Sequence, residues 1–257
     1  MPYKASSTTL TFSTVGVGFA YLTVDPATVK WGQDVYHETR LLDDYGNPVV
    51  GVLVEFQWYY GGAWRKVCEV STDSLGYAKC RWTVPYVTSV AVGTRIVDVK
   101  FPCNTFSVRA YAPAFGVASA EKTVKVYSET QIVASTNKTS YAPGEDVIVS
   151  GKLQEITPTG TAPLANMSVT ITWWDGTKTT VTTGSDGGFS VTKKAPATKG
   201  TYSIKVEFSG VGFSYTPSTA VLGFGIGGGG SSLSWLALAV ASAGLVGLAY
   251  ARRRRLI

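Results

Sequence analysis

The chain has 257 residues, 45% of them apolar and 16% charged, with a formal net charge of +6. It is long enough for one large or two smaller domains with hydrophobic cores, and its apolar content excludes intrinsic disorder. The abundant glycine, tyrosine, tryptophan, threonine and valine favour strands joined by turns, which predicts an all-β protein. The single histidine, His37, excludes a two-histidine metal centre, and no cysteine pair has C-x-x-C spacing. We therefore expect neither a metal nor a cofactor.

The N-terminal segment has the pattern of strands and not of a secretion signal. Leu10 and Phe12 alternate with polar residues, which is the period of a half-buried strand, and no convincing cleavage site for a signal peptidase follows. An export signal is therefore expected upstream of this sequence or at a different start.

A repeat with an offset near 112 residues covers most of the chain. Trp31-Gly32-Gln33-Asp34-Val35 corresponds to Pro143-Gly144-Glu145-Asp146-Val147, and later landmarks follow in the same order. A repeat of this length is typical of tandem domains and too long for a solenoid. We place one domain at residues 1–127 and another at 128–222.

Within each repeat, apolar residues alternate with polar ones between turn signals. Val52, Val54, Phe56 and Trp58 fall on one face of a predicted strand, and Val169, Ile171 and Trp173 repeat the pattern in the second domain. About seven short strands in about 100 residues predict an immunoglobulin-like sandwich of two packed antiparallel sheets. The predicted architecture is two tandem Ig-like β-sandwich domains followed by one C-terminal transmembrane helix.

Turn and strand motifs carry a family resemblance over roughly residues 20–222. Residues 44–56 (DYGNPVVGVLVEF) and 71–78 (STDSLGYA) resemble the bacterial immunoglobulin-like domains of invasin-type and related prokaryotic surface proteins. Residues 164–169 (LANMSV) and 185–189 (SDGGF) are closer to carboxypeptidase-regulatory-like and archaeal surface repeats. The resemblance implies a cell-surface stalk or adhesion module with no catalytic residues.

Cysteine and asparagine positions supply two further expectations. Cys68 and Cys80 flank the turn at residues 72–76, and a symmetric register would place them opposite each other, within reach of a disulfide. A bond from either of them to Cys103, or three reduced cysteines, are the alternatives. Asn137 and Asn166 begin N-x-[ST] sequences and are candidate glycosylation sites in an exported protein.

Clustered aromatic residues form a candidate ligand platform. Tyr59, Tyr60 and Trp64 surround Gly61-Gly62, and Trp174 occupies the corresponding place in the second domain. Exposed aromatic rings can stack on sugars, which makes carbohydrate binding an alternative function, although buried core aromatics explain the same pattern.

The C-terminus predicts a membrane anchor. A Gly/Ser-rich hinge is expected at 223–232 and a transmembrane helix at 233–251, because residues 233–250 contain no charge and would be roughly 27 Å long as a helix. Trp235 and Tyr250 would lie at the two membrane interfaces. The basic tail at 252–257 contains Arg252, Arg253, Arg254 and Arg255, which the positive-inside rule places in the cytoplasm. This anchor also resembles those of archaeal envelope proteins.

The charge distribution changes the meaning of the net charge. The segment from residue 233 onward contains four arginines and no acid, so the remaining chain has 19 basic and 17 acidic residues, a net of +2. We therefore expect no nucleic-acid partner. The expected partners are the lipid bilayer, through the C-terminal helix, and other surface proteins or glycans.

The sequence as a whole predicts a non-enzymatic, single-pass membrane protein with an extracellular ectodomain. Its role would be adhesion, envelope architecture or that of a stalk. The alternatives are a cell-anchored carbohydrate-binding module and a structural subunit of a surface filament or virion envelope. In the last of these, a strand at residues 8–15 would complete a neighbour's sheet and the protein would form a homo-oligomer.

Overall fold

A computed structural model describes residues 15–92 and 95–227, with the backbone alone at 89–92 and 95–99. These residues form twenty β-strands, and no α-helix occurs among them, which confirms the all-β prediction. In chain order the strands are β1 (Val17–Asp25), β2 (Thr28–Lys30), β3 (Asp34–Asp43), β4 (Leu53–Tyr60), β5 (Ala63–Ser71), β6 (Tyr77–Thr83), β7 (Val87–Val92), β8 (Arg95–Lys100), β9 (Thr105–Ala112), β10 (Val117–Ala118), β11 (Lys122–Tyr127), β12 (Thr130–Thr136), β13 (Ser140–Tyr141), β14 (Asp146–Thr157), β15 (Gly160–Pro163), β16 (Ser168–Thr172), β17 (Lys178–Thr182), β18 (Gly188–Lys194), β19 (Gly200–Phe208) and β20 (Ser218–Ile226).

The chain divides into two compact units. Among the described residues, the first contains those up to Val29 together with Gln33–Val84 and Thr105–Lys125, and the second contains those of Lys30–Gly32, Pro85–Asn104 and Val126 to Gly227. The β7–β8 hairpin and its flanks thus belong to the second unit. Lys100, at the end of β8, forms an ion pair with Glu155 of β14. This contact joins the β7–β8 hairpin to the second unit.

The first unit is a sandwich of two sheets. One sheet has the strand order β1-β3-β6, and the other has the order β2-β11-β9-β4-β5 with β10 paired to β9. The sheets face each other, since the Trp58 ring of β4 lies 4.6 Å from the Trp82 ring of β6 between centroids. The alternation predicted for β4 is confirmed, because the side chains of Val54, Phe56 and Trp58 are fully buried.

The second unit also contains two sheets around one core. Their orders are β12-β14-β15, with β18 paired to β14, and β13-β20-β19-β16-β17. Val149 and Leu153 of β14 share a hydrophobic cluster with Val169 and Ile171 of β16 and with Val206 of β19. The β7–β8 hairpin forms a separate two-stranded sheet.

Corresponding turns show that the sequence repeat is a structural repeat. Gly76 has φ of +80° and Gly187 has φ of +74°, a region that favours glycine. A Cβ added at Gly76 would lie 2.6 Å from the Leu41 carbonyl oxygen, and one at Gly187 would lie 2.5 Å from that of Leu153. Both positions therefore require glycine for the same reason, a close approach of two backbones.

The last strand extends further than the sequence predicted. The hinge expected at 223–232 overlaps β20, which continues to Ile226. Phe224 and Ile226 point into the core of the second unit and are 2% and 4% exposed. Gly223 and Gly225 are the intervening outward positions of this strand, so glycine content alone was misleading here.

Several predicted features fall outside the described residues. These are residues 8–14 of the proposed N-terminal strand, the rest of the hinge from residue 228, and the 233–251 span with its basic tail at 252–257. Within residues 15–92 and 95–227 no helix is long and apolar enough to cross a membrane.

Candidate functional site

The outer face of the larger sheet of the first unit gathers aromatic and arginine side chains. β4 lies between β9 and β5, so the residues that alternate with its buried positions share a surface with the outward residues of both neighbours. We call this surface the aromatic–arginine face. Its aromatic and arginine members are Tyr59, Trp64, Arg109 and Tyr111, and Glu55, Gln57 and Lys66 lie among them.

A tight turn brings two of these rings together. β4 and β5 are joined by Gly61 and Gly62, which have φ of +61° and +77°. A two-residue connection with both residues at positive φ matches the twist of a hairpin, and glycine adopts it without steric cost. Tyr59 therefore lies opposite Trp64, with the ring centroids 5.3 Å apart in an edge-on arrangement.

Arg109 lies at the centre of the face. Its guanidinium carbon is 4.2 Å from the centroid of the Trp64 ring and 5.3 Å from that of the Tyr111 ring. Its Nε donates a hydrogen bond of 2.9 Å to Oε1 of Gln57, the residue opposite it on β4. Nε2 of Gln57 in turn donates to Oε2 of Glu55 at 2.7 Å. The arginine is thus oriented by one hydrogen bond and two ring faces.

The predicted ligand platform is divided by the structure. Tyr59 is 45% exposed and shares the aromatic–arginine face with the half-buried Trp64. Tyr60 lies on the opposite face of β4, where its ring is 6.5 Å from the Phe106 ring and Arg65 is 5.1 Å from its centroid.

The fourth platform residue belongs to the core region of the second unit. Trp174 is half-buried, and its ring lies 5.3 Å from the Trp173 ring and 5.1 Å from the Phe224 ring. Of the four residues, Tyr59 and Trp64 share one sheet face, and Tyr60 and Trp174 each lie in a different environment within their own unit. Sequence reasoning missed Gln57, Arg109 and Tyr111, because β9 is brought beside β4 by the fold alone.

The Cys68–Cys80 pair is joined by a disulfide, with an S–S distance of 1.93 Å and a Cα–Cα distance of 6.5 Å. The predicted geometry was nevertheless wrong, because the two residues are not partners in one hairpin. Cys68 of β5 lies opposite Phe56, whereas Cys80 of β6 lies opposite His37 in the other sheet. The turn between β5 and β6 crosses from sheet to sheet, so the disulfide links the two layers of the sandwich.

His37 lies beside this disulfide and is 1% exposed. Its Nε2 accepts a hydrogen bond of 2.9 Å from Nε1 of Trp58. Burial disfavours the charged imidazolium and lowers the pKa of His37 to about 4.

Among the described residues, His37, Cys68 and Cys80 form the one group of side chains of the types that bind metal ions. A nitrogen of His37 and the sulfurs of Cys68 and Cys80 lie within 4.8 Å of one another. Cysteine binds metals as a thiolate, and here both sulfurs are used in the disulfide. The cluster is therefore a packing and cross-linking feature of the oxidised protein.

The third cysteine is a thiol. Cys103 is half-buried, and burial raises its pKa to about 12. At neutral pH it is protonated and weakly nucleophilic.

A buried ion pair in the second unit was not indicated by the sequence. Glu155 is 3% exposed, and Nζ of Lys100 lies 2.8 Å and 2.7 Å from its two carboxylate oxygens. Burial acts to lower the pKa of Lys100, but the hydrogen bond and negative charge of Glu155 outweigh it, so that pKa is raised. Nζ also lies 4.8 Å from the centroid of the Trp31 ring, where the cation is attracted to the π face.

The two candidate glycosylation sites both lie on the surface and both have structural roles. Oδ1 of Asn137 accepts hydrogen bonds from Tyr141 Oη at 2.7 Å and from the Ile148 backbone at 2.9 Å. Asn166 has φ of +58°, a conformation that asparagine tolerates better than most residues. Turn geometry thus accounts for both asparagines, and their glycosylation stays a prediction.

No protein-family model and no curated protein matches this chain. Similar solved structures include the Yersinia pseudotuberculosis adhesin InvE, with 13% identity and a TM-score of 0.40 over 79% of this chain and 58% of that one. A tetra-tandem repeat from the extending region of a large adhesion protein has 13% identity and a TM-score of 0.44, covering 82% and 50%. FdeC, an Escherichia coli adhesin, has 15% identity and a TM-score of 0.36, covering 84% and 66%.

The chain spans between half and two thirds of the length of these three structures.

Proposed function

We propose that the chain is a non-enzymatic, membrane-anchored cell-surface protein that acts in adhesion, with its two sandwiches holding a binding face away from the membrane. The disulfide between Cys68 and Cys80 carries this proposal, since such bonds persist in oxidising compartments and are rare in the cytosol. The uncharged C-terminal stretch followed by four arginines supports an external ectodomain with a cytoplasmic tail.

The adhesive role is supported by the aromatic–arginine face. Tyrosine, tryptophan and arginine are the residues enriched at protein recognition surfaces, because they combine large apolar area with a polar group. Here an exposed tyrosine, a half-buried tryptophan and an oriented arginine share one sheet surface.

A cell-anchored carbohydrate-binding module is the second candidate. The observation that favours it is the open position of Tyr59, whose ring is 45% exposed beside Trp64. Stacking on sugar rings needs this kind of accessible aromatic surface.

The test uses the full chain expressed on cells. Trypsin added to intact cells is expected to remove both sandwiches, and a maleimide of high mass added to a denatured Cys103→Ser variant is expected to label it only after reduction. Cells carrying the protein should also adhere to a biotic surface more than cells carrying an empty vector. Full protection from trypsin, or labelling without reduction, would overturn the external placement.

A further inference from the structure

We infer that the aromatic–arginine face binds the carboxylate-bearing sugars of an acidic polysaccharide, with Arg109 as the carboxylate receptor. The inference rests on the proposed function, because it names the ligand class for the proposed binding face. Three properties of the face carry it: the unused hydrogen-bonding capacity of Arg109, the rigidity of its position and the aromatic rings around it.

Arg109 has two terminal nitrogens that make no hydrogen bond or ion pair within the part of the chain that the structure describes. Its contacts there are the Nε bond to Gln57 and the faces of Trp64 and Tyr111. Lys66, a second cation on this surface, is already paired with the carboxylates of Glu69 and Glu55. The terminal N–H groups of Arg109 are thus cationic donors without a carboxylate partner among the described residues.

The position of the guanidinium is fixed before any ligand arrives. Gln57 is only 8% exposed, and its amide is oriented because it accepts from Arg109 and donates to Glu55. The rings of Trp64 and Tyr111 limit the guanidinium from two directions. A preoriented arginine loses little side-chain entropy on binding, and its planar fork matches a carboxylate through two parallel hydrogen bonds.

The surrounding rings identify the rest of the ligand. A uronic acid places a carboxylate directly on a six-membered ring whose C–H faces can pack on aromatic side chains. Tyr59 offers such surface on β4, the strand adjacent to β9, and its ring is 45% exposed. Neighbouring strands are about 4.8 Å apart, so one sugar can contact Arg109 and the Tyr59 ring. An aspartate or glutamate side chain would accept both hydrogen bonds from the guanidinium but would leave the aromatic surface uncovered.

A single site of this size binds weakly, and the polymer strengthens it. One bidentate contact with one stacked ring gives modest affinity, whereas a repeating polyuronate presents many carboxylates, and many copies of the protein on one cell engage them together. The inference therefore predicts that an immobilised polyuronate retains the protein and that the free monosaccharide competes only weakly for the same site.

The experiment measures binding of the detergent-solubilised full chain to immobilised polygalacturonate, with dextran as the neutral polymer. We expect binding to polygalacturonate and none to dextran. Arg109→Lys keeps the charge and removes the fork, and it should weaken binding about tenfold. Tyr59→Ala should weaken it about fivefold.

The matched control is Arg81→Gln, which removes an exposed arginine from β6 in the other sheet and should leave binding within about twofold of the unmodified protein. Circular dichroism melts establish that each variant is folded. Equal binding by poly-glutamate would replace the sugar with an acidic peptide and overturn the inference, as would unchanged binding by Arg109→Lys. If trypsin removes the sandwiches from cells but polygalacturonate does not bind, this inference fails while the proposed surface location stands.

Discussion

His37 is the only histidine of the chain, and it is buried. Its protonation in the unfolded state therefore makes the free energy of unfolding depend on pH. The folded pKa is about 4 and the unfolded value is 6.5, so only the unfolded state takes up a proton between these values. The stability from keeping this imidazole neutral is complete above pH 6.5 and is lost as the pH falls towards 4.

We expect the free energy of unfolding in urea to fall by roughly 2 kcal/mol between pH 7 and pH 4.5. Carboxylates with lowered pKa values, such as Glu38 and Asp43, begin to lose their contribution only near the lower end of this window, because their unfolded values are 4.5 and 3.8. A His37→Gln variant should therefore keep only this smaller fall near pH 4.5 and lose the fall between pH 7 and pH 5.5. A slope of the same size in that variant would contradict the assignment.

The Lys100–Glu155 ion pair also contributes to the free energy of unfolding. Lys100→Met would leave the buried Glu155 carboxylate without its partner, and we expect a loss of about 2 kcal/mol in the free energy of unfolding. The value is below that of a fully buried pair because Lys100 itself is partly exposed.

A double-mutant cycle measures this interaction. Lys100→Met combined with Glu155→Leu removes both charges and should cost less than the two single changes added together. Additive losses from urea titrations would show that the two side chains act independently.

At the scale of strands, the disulfide joins two elements that no hydrogen-bond ladder connects. β5 and β6 belong to different sheets, so Cys68–Cys80 closes the first sandwich across its layers. The two cysteines are 12 residues apart, and closing a loop of this length stabilises the folded state by roughly 3 kcal/mol through the unfolded chain.

We therefore expect the double variant Cys68→Ala and Cys80→Ala to lose roughly 3 kcal/mol in urea unfolding. Reduction of the unmodified protein should have a similar effect, and Cys103→Ala should not share it. An unchanged midpoint after reduction would show that sandwich packing alone closes the two layers.

Sequence patterns predicted these strands well where local chemistry decides the structure. Alternation placed Phe56 and Trp58 inside, and Gly76 stands at a turn that requires its conformation. The patterns failed where the fold decides which strands meet. The register around residue 74 looked like one hairpin, yet Thr72 redirects the chain by accepting a hydrogen bond of 3.0 Å from the Val52 backbone N–H.

The second unit contains an equivalent threonine hydrogen bond. The hydroxyl of Thr183 accepts a hydrogen bond of 3.0 Å from the Met167 backbone N–H, at the position equivalent to Thr72. Both threonines are buried.

The candidate site could be predicted from the sequence only in part. Tyr59 and Trp64 are near each other in sequence, whereas Arg109 lies on β9 and could be placed beside them only once the strand order was known.

At the scale of the whole molecule, the proposed anchor determines where the protein resides. Full-length protein should sediment with membranes and remain there after a carbonate wash, because an apolar span of this length inserts stably. A variant ending at Gly227 should appear in the soluble fraction, since β20 and its core residues are complete at that point. Membrane retention of the shortened protein would contradict the proposed anchor.

The course of the last strand has a mechanical consequence. The hydroxyl of Thr130, at the start of β12, contacts Ser218 at the start of β20, and Gly227, just after β20, donates a hydrogen bond to the Tyr141 carbonyl. If tension acts on the second unit between Thr130 and Gly227, it acts along β20 in opposite directions at its two ends. The nine residue pairs between β19 and β20 would then resist sliding together instead of separating one at a time. If the chain has the adhesive role proposed above, this arrangement would slow the unfolding of the second unit under load.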